Sequence, residues 1–341
     1  MELRLRDSIL LVSLAVSTAA LYARAVSSRV RPGPTRLAML LPVTIFFAAI
    51  PLVFSSAVLR CAAALFLSWL GTFKVVLLAV GHGPLDPTLP SLQFVLTTAL
   101  PIELVIIPSG VHPDKARSMA GPVSTSSLAS FTFKVAVIAA ITRLYKYFHE
   151  MHLYVRLVLY GVHVWCSMEL LFAGAAAACR GVLGVEVKPQ FDKPYVATSL
   201  QDFWGRRWNL PVSAILRASV YDPVRARAGK EAGVVATFVV SGLMHEALVY
   251  YFTLEPPTGE MVAFFLLHGV CRVAEDWCAP RWTARGWPAP PRHVARVLVL
   301  LFFMATSFSL IFPPVYREGR EEMLLKESAD ALEAFFAGVV V

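Results

Sequence analysis

The stretch GVVATFVVSGLMHEALVYYF, residues Gly233–Phe252, decides how the rest of the chain is interpreted. It is long enough to cross a bilayer as a helix, which takes about 20 residues. It nevertheless carries His245 and Glu246 near its centre. Ionisable side chains at that depth are costly and usually face a protein interior or a water-filled cavity. His245 is therefore a candidate functional residue, and the alternative is a histidine that only hydrogen-bonds to a neighbouring helix.

The composition of the whole chain agrees with insertion into a membrane. Of its 341 residues, 57% are hydrophobic and only 16% are charged, and the mean hydropathy is +0.63. Soluble domains carry about 25% charged residues. The apolar blocks do not alternate with polar residues, as the strands of a membrane barrel would. We therefore predict an all-α fold, a polytopic membrane bundle of about eight to nine helices, with residues 1–341 forming a single membrane domain.

The apolar runs give approximate positions for the spans. The predicted spans are 8–23, 36–54, 58–80, 127–144, 153–178, 233–253, 260–275 and 294–313. Residues 91–107 are apolar but contain Pro101, which favours a short or re-entrant element. The tail 329–341 is a candidate ninth segment.

The distribution of basic residues predicts the orientation, because they favour the cytosolic side of a membrane. Four arginines lie in or beside the first connection, namely Arg24, Arg29, Arg31 and Arg36. Counting spans from there places the long segment 179–232 in the cytosol, where it leads into the helix that carries His245. The connection 254–259, on the opposite side, has no basic residue. Arg143 and Lys146 depart from the pattern.

The charge and the cysteines exclude several function classes. The net charge of +8 does not indicate a nucleic-acid partner, because the basic residues lie between apolar blocks and near lipid headgroups. The cysteines are scattered without a CxxC pair, so we predict no metal site. The pair His245-Glu246 does not begin an HExxH zinc motif, because Val249 stands where the second histidine would be.

The segment before this helix contains a second motif, SLQDFWGRRWNLP, residues Ser199–Pro211. Ser199 followed by Asp202 is a helix-capping pattern, and Pro211 closes the segment. As one helix, the segment would carry tryptophans on one face and polar residues on another, which is typical of a helix at a membrane interface. These two faces are Leu200, Trp204 and Trp208, and Gln201, Gly205 and Asn209.

Several motifs in combination resemble the plant wax synthases, a branch of the membrane-bound O-acyltransferases. They are QDFWGRRWN (Gln201–Asn209), SVYDPV (Ser219–Val224), VSGLMHE (Val240–Glu246), FLSWLGTFKVVLLA (Phe66–Ala79) and FFLLHGV (Phe264–Val270). The resemblance covers roughly residues 66–272. In that family an asparagine in the FWxRRWN-type loop is paired with a histidine in a following membrane helix. Asn209 and His245 stand at the matching positions.

The resemblance implies transfer of a fatty acyl group from acyl-CoA to a long-chain fatty alcohol, which forms a wax ester. His245 would take the hydroxyl proton as general base, and Asn209 would stabilise or position the oxyanion. Arg206 and Arg207 are candidates for binding the phosphates of coenzyme A. Trp204 and Trp208 are candidate substrate contacts. Solvated arginines and aromatic membrane anchors are the structural alternatives for these four residues.

Such a direct transfer needs neither a metal nor a cofactor, since acyl-CoA is a substrate. The expected partners are acyl-CoA, a lipophilic alcohol and membrane lipids, without nucleic acid. Because the two substrates differ in polarity, we expect the helices to enclose an internal tunnel. Coenzyme A would enter it from the cytosol and the alcohol from the bilayer. The expected location is the endoplasmic reticulum.

Three alternatives stay open at the level of sequence. A sterol or a glycerolipid hydroxyl would satisfy the same chemistry as a fatty alcohol. A transporter or channel would also carry ionisable residues in its membrane helices, although the chain shows no repeat and no matched pair of broken helices. The sequence also leaves open whether His268 or Glu246 belongs to the site, and whether Lys74 extends toward an interface.

Overall fold

The computed structural model describes residues 7–103, 128–183 and 187–317, together with 326–327 and 330. Within these residues the regular structure is helical and contains no strand, as predicted. The helices are α1 (Ile9–Arg29), α2 (Pro34–Ala49), α3 (Ala57–Ala79), α4 (Ser91–Ala99), α5 (Leu128–Leu144), α6 (Leu153–Leu183), α7 (Leu200–Arg206), α8 (Leu210–Leu216, continued by Arg217–Tyr221 and Asp222–Ala228), α9 (Lys230–Thr253), α10 (Glu260–Ala284) and α11 (Arg292–Thr306, continued by Ser307–Ile311 and Phe312–Tyr316).

Six of the described helices are long and apolar enough to cross a membrane. They are α1, α2 with its extension to Val53, α3, α6, α9 and α11. The prediction of a polytopic helical membrane protein is thereby confirmed. The predicted number of spans is larger than six because it also counted α5, which has only 17 residues, and α10, whose second half is charged. The candidate segment 329–341 lies outside the described residues, apart from Asp330.

Buried cationic side chains join the first helices by binding carbonyl groups at helix ends. The guanidinium of Arg36 is buried and donates to the carbonyl oxygens of Ser27, Val30 and Leu78, at 3.0, 2.7 and 2.9 Å. The last carbonyls of a helix have no partner within the helix. Arg36 therefore connects the end of α1 with the ends of α2 and α3 and stabilises their packing.

Lys74 binds carbonyl groups at the C-terminal end of α4. Its side chain is 1% exposed, and its ammonium lies 2.6 Å from the carbonyl oxygen of Thr97 and 2.7 Å from that of Leu100. The question left open by the sequence is thereby answered: Lys74 does not extend toward an interface, because the end of α4 offers it acceptors inside the bundle. A cation at a helix C-terminus is also favoured by the helix dipole.

Glycines allow α9 and α10 to pack closely. A Cβ atom on Gly242 would lie 2.8 Å from Cα of Val262, and one on Gly269 would lie 2.8 Å from Cβ of Phe238. Small residues at such positions let two membrane helices approach, which increases their van der Waals contact. The two helices that carry His245 and His268 are therefore held together over several turns.

Glu246 joins the same two helices at their connection. Its carboxylate is buried, and one oxygen accepts hydrogen bonds from the backbone N–H groups of Met261 at 2.9 Å and Val262 at 3.3 Å. These N–H groups belong to the first turn of α10, where a carboxylate is favoured. Glu246 thus caps α10 and fixes the position of the helix next to His245.

Candidate active site

His245 lies in the middle of α9 and packs between two aromatic rings. Its imidazole meets the ring of Trp69 edge-on, with 4.9 Å between centroids, and lies 4.2 Å from the ring of Phe265. Trp69 belongs to α3 and Phe265 to α10. Three helices thus fix the plane of the imidazole, which is a requirement for a side chain that must hold a proton at a defined place.

The hydrogen bonding of His245 defines which nitrogen is available. Nδ1 lies 2.7 Å from the carbonyl oxygen of Ser241, one turn earlier in α9. A carbonyl oxygen only accepts, so Nδ1 carries the proton in the neutral ring and Nε2 carries the lone pair. Among the residues that the structure describes, the only hydrogen bond of this side chain is the one at Nδ1. The arrangement suits a general base whose accepting atom is Nε2.

Helix α7, from the motif at residues 199–211, is attached to α10 through its N-terminus. Ser199 Oγ accepts from the N–H of Asp202 at 2.9 Å, so the predicted cap is confirmed. The two carboxylate oxygens of Glu275 accept from the N–H groups of Leu200 and Gln201, each at 2.9 Å. These contacts satisfy three of the N–H groups that a helix leaves unpaired at its start.

Helix α7 ends earlier than the sequence predicts. It stops at Arg206, and Asn209 adopts a left-handed conformation with φ 40° and ψ 65° as α8 begins. The prediction that Asn209 and Trp208 continue the faces of one helix is therefore wrong. Pro211 lies in the first turn of α8 instead, where proline is favoured, and asparagine tolerates the left-handed turn between the two helices.

Asn209 itself is buried, with 8% of its surface exposed. Both elements beside it reach the neighbours of His245. On one side, the ring of Trp204 in α7 lies 5.6 Å from that of Phe265. On the other, Val212 of α8 belongs to the same apolar cluster as Trp69. The motif at residues 199–211 is therefore packed against the helices that hold His245, and direct cooperation of Asn209 with His245 stays a prediction.

His268 connects α7 to the neighbouring helices through a chain of hydrogen bonds. The indole N–H of Trp204 donates to Nδ1 of His268 at 3.1 Å, and Nε2 of His268 lies 2.9 Å from Oγ1 of Thr306. His268 must be neutral to accept at Nδ1, and it then donates from Nε2. Its side chain is completely buried. His268 therefore positions Trp204, and it connects α7 with α10 and α11.

The two candidate phosphate-binding arginines have different surroundings. Arg207 is engaged within the loop, with Nε 2.8 Å from the carboxylate of Asp202 and a terminal nitrogen 3.1 Å from the carbonyl oxygen of Asp192. Arg206 is exposed at the end of α7. Of the two, Arg206 is thus the one whose charge is accessible to an incoming anion.

Trp204 and Trp208 lie in one aromatic cluster. The two rings are 6.0 Å apart, and each also contacts Phe203 and Phe303. Trp208 further contacts Trp165 of α6 at 5.5 Å. These contacts connect α7 with α6 and α11 and account for both tryptophans as packing residues. Their role as substrate contacts stays a prediction.

The residue that sequence reasoning missed is Trp69, which contacts His245 although 176 positions separate them. A signal was present, because Trp69 belongs to one of the five motifs that carried the family resemblance. Nothing in the spacing of α3 predicted that this face of the helix meets α9.

Removing the Glu275 carboxylate should loosen α7 without unfolding the bundle. In Glu275→Ala, two backbone N–H groups lose charged acceptors, each worth about 1.5–3 kcal/mol. We expect hydrogen exchange of residues 200–202 to become at least about tenfold faster, a change equivalent to about 1.4 kcal/mol. The control is Asp276→Ala, whose carboxylate pairs with Arg272 and Lys230 rather than with α7. Equal exchange in wild type and Glu275→Ala would contradict the capping role.

The fold and the site define a multi-pass integral membrane protein. A helical bundle holds the imidazole of His245 by its Nδ1 atom, and an arginine-bearing helix is docked beside it. The pattern of the membrane bound O-acyl transferase family matches residues 187–267, which contain both Asn209 and His245. The chain belongs to this family.

Several curated relatives extend the likeness over nearly the whole chain. The long-chain-alcohol O-fatty-acyltransferase of Simmondsia chinensis is 38% identical over 319 residues, covering 90% of this chain and 89% of the relative. The probable long-chain-alcohol O-fatty-acyltransferase 1 of Arabidopsis thaliana is 38% identical over 322 residues, with 90% of both chains covered. Acyl-CoA–sterol O-acyltransferase 1 of Arabidopsis thaliana is 36% identical over 324 residues, covering 92% of both. The resemblance to the wax synthase branch is thus confirmed, and the chain is an acyltransferase rather than a transporter or channel.

Proposed function

We propose that this acyltransferase moves a fatty acyl group from acyl-CoA to a lipophilic alcohol, and that a long-chain fatty alcohol is the leading acceptor. The names of most of the similar relatives support this acceptor. The structural observation that carries the chemistry is the hydrogen bond from Nδ1 of His245 to the Ser241 carbonyl oxygen, which leaves Nε2 as the basic atom. A fixed, neutral imidazole is suited to accept the proton of a hydroxyl group.

The proposed reaction proceeds without a covalent intermediate on the protein. Nε2 of His245 takes the alcohol proton as the alcohol oxygen bonds to the thioester carbon. The carbonyl electrons move onto the carbonyl oxygen, and the tetrahedral intermediate then expels the thiolate of coenzyme A. The thiolate takes the proton from His245, which returns the imidazole to its starting form. The products are a wax ester and free coenzyme A.

In this mechanism Asn209 stabilises or positions the oxyanion. Its side chain is buried, and its backbone is fixed by the turn between α7 and α8. A preorganised amide donor lowers the energy of a developing oxyanion because it does not have to reorient during the reaction. The attachment of α7 to α10 through Glu275 and His268 supports this role, since it restricts the loop that carries Asn209.

We place the segment 179–232 on the cytosolic side of the endoplasmic reticulum membrane, so that acyl-CoA enters from the cytosol. The basic residues of this segment support the orientation. The alcohol would reach His245 from the bilayer between the membrane helices. A tunnel that joins the two entrances is part of this proposal.

A sterol is the second candidate acceptor. The observation in its favour is the 36% identity to the sterol acyltransferase of Arabidopsis thaliana. Both acceptors present a single hydroxyl on a large apolar body, so the same base and the same oxyanion donor serve either one. The difference between them lies in the shape of the acceptor path.

The proposal is tested by expressing the chain in a host strain that lacks its own neutral-lipid acyltransferases. Membranes or purified protein are supplied with labelled acyl-CoA and one of three acceptors: a long-chain fatty alcohol, a sterol or a diacylglycerol. We expect ester formation and equimolar release of coenzyme A, fastest with the fatty alcohol. Preferential esterification of the sterol would replace the leading acceptor. No transfer to any of the three would contradict the proposed function.

Neutralising Arg206 should mainly weaken the binding of acyl-CoA. In Arg206→Gln we expect the KM for acyl-CoA to rise several-fold while the KM for the alcohol stays nearly constant, because only coenzyme A carries phosphates. Raised salt should also increase the acyl-CoA KM of the wild type, since exposed ion pairs are screened. Arg207→Gln should disturb both substrates, because it releases Asp202 and the loop.

The matched control is Arg227→Gln, which removes another exposed arginine, near the end of α8, and should leave both KM values unchanged. Steady-state kinetics with each substrate varied in turn measure these effects. An acyl-CoA KM for Arg206→Gln equal to that of the wild type would exclude Arg206 as a phosphate-binding residue.

A further inference from the structure

Trp69 lies in a stretch of α3 that departs from α-helical geometry. Residues Ala64–Gly71 form a π-helical segment between the α-helical ends of α3. A π segment widens a helix and turns its side chains away from their regular positions, and such segments are frequent at functional sites. Here the segment brings the Trp69 ring into edge-on contact with His245.

The indole N–H of Trp69 is buried without a hydrogen-bond partner. The residue is 3% exposed, and Nε1 has no acceptor among the described residues. Other tryptophans of the chain satisfy this group: Trp204 donates to His268 at 3.1 Å and Trp282 to the carbonyl oxygen of Pro288 at 2.9 Å. Leaving a buried donor unsatisfied costs about 1–3 kcal/mol. Such a group in a native fold calls for an explanation.

Within the part of the chain that the structure describes, the surroundings of Trp69 offer this donor no acceptor. Trp69 belongs to an apolar cluster with residues of α3 and α8, namely Leu70, Leu77, Val212, Ile215 and Leu216, against which residues of α9 pack. The imidazole of His245 contacts the Trp69 ring of this cluster. A hydrogen-bond donor in an apolar environment, on a ring in contact with the base, is strongly attracted to any oxygen that gains negative charge there.

We propose that the indole N–H of Trp69 donates a hydrogen bond to the carbonyl oxygen of the transferred acyl group. This step rests on the proposed function. While Nε2 of His245 removes the alcohol proton, the new C–O bond forms and the carbonyl electrons move onto that oxygen. Trp69 keeps its proton throughout and stabilises the oxyanion until the C–S bond breaks. Trp69 and Asn209 would thus both donate hydrogen bonds to the carbonyl oxygen of the acyl group.

The location of α8 supports this pairing. Asn209 immediately precedes α8, and Val212, one turn later, is in the same cluster as Trp69. Trp69 and Asn209, the two proposed donors, thus belong to elements that pack against each other.

The first test is Trp69→Phe, which removes the N–H but keeps an aromatic ring. We expect kcat to fall about 10²–10³-fold, with much smaller changes in the KM values for acyl-CoA and alcohol, because the hydrogen bond strengthens as the carbonyl oxygen gains charge in the transition state. Trp282→Phe, at an exposed tryptophan, is the control and should keep wild-type kcat. Thermal unfolding in detergent verifies that both variants are folded.

A second measurement does not depend on the stability of the variant. An acyl-CoA analogue in which a methylene group replaces the thioester sulfur keeps the carbonyl oxygen but cannot transfer its acyl group. Added to wild-type protein with labelled indole nitrogens, it should shift the Trp69 N–H proton downfield. The resonance is assigned by substituting the other tryptophans.

The outcomes separate this inference from the proposed function. A wild type that forms ester, with a Trp69→Phe variant of unchanged kcat or an unshifted Trp69 resonance, would overturn the role of Trp69 alone. A raised alcohol KM at unchanged kcat would also overturn it, because the N–H would then bind the alcohol. A wild type without any ester formation would overturn the proposed function itself.

Discussion

Replacing His245 with alanine should abolish ester formation while the protein still inserts and folds. The expected loss in kcat is at least about 10²–10⁴-fold, the range for removal of a general acid–base group. The reason is that Nε2 of His245 is the basic atom that the bundle holds in place, with Nδ1 fixed by Ser241. The measurement is the rate of coenzyme A release with saturating substrates in protein of verified oligomeric homogeneity and thermal stability.

Two further substitutions separate basicity from packing. His245→Gln keeps a polar side chain of similar size but has no titratable base, so it should be as inactive as His245→Ala. The matched control is His163→Ala, at a histidine of another membrane helix, α6, which is hydrogen-bonded to Tyr145 and is not among the neighbours of His245. Near-native turnover in a well-folded His245→Gln variant would remove His245 from the mechanism.

The helical membrane fold was predictable because hydrophobic length alone indicates a spanning helix. The number of spans was harder to predict. Helix α10 begins with an apolar run but carries Arg272, Glu275 and Asp276 further on. Arg272 pairs with Asp276 within α10, but the other partners come from other helices. Lys230 of α9 also pairs with Asp276, and Glu275 accepts from the first N–H groups of α7. The number of apolar residues in one helix does not show which of its charged residues have partners on other helices.

The local signals of the motif at residues 199–211 were correct at its start and incorrect at its end. Ser199 caps α7 as predicted, because a capping interaction involves only residues three positions apart. The end of the helix depended on a competition between continuing α7 and starting α8 at Leu210, with Pro211 in its first turn. The left-handed conformation of Asn209 ends α7 and lets α8 begin. The spacing of apolar and polar residues along the segment does not predict this conformation.

The periodicity of apolar residues could not predict contacts between segments that are distant in the sequence. The burial of Lys74 depends on where α4 ends, and the contact of Trp69 with His245 depends on a π segment in α3. Both residues stood in the motif Phe66–Ala79, whose function the sequence did not explain. The structure explains the motif, because Lys74 on one face binds the end of α4 and Trp69 on another face contacts His245.

Replacing Asn209 should reduce turnover by about 10²–10³-fold, the range for loss of a single oxyanion donor. The choice of variant matters because the backbone at Asn209 is left-handed, with φ 40°. Alanine would add a conformational cost of about 1–2 kcal/mol and would confuse strain with lost chemistry. Glycine adopts this conformation without strain, so Asn209→Gly removes the amide alone. Asn209→Asp keeps the shape but places a negative charge near the oxyanion, and we expect it to be at least as inactive.

Lys193 provides the matched control, because it also adopts a left-handed conformation, with φ 44°, in the same loop. Lys193→Gly makes the same backbone change and should keep near-native kcat. The comparison of kcat for the two glycine variants, at saturating acyl-CoA and alcohol, therefore isolates the amide of Asn209. If Asn209→Gly retains the turnover of Lys193→Gly, the oxyanion in this enzyme is stabilised by other donors, and the indole N–H of Trp69 becomes the first of them to examine, because it is buried beside His245 without a protein acceptor among the described residues.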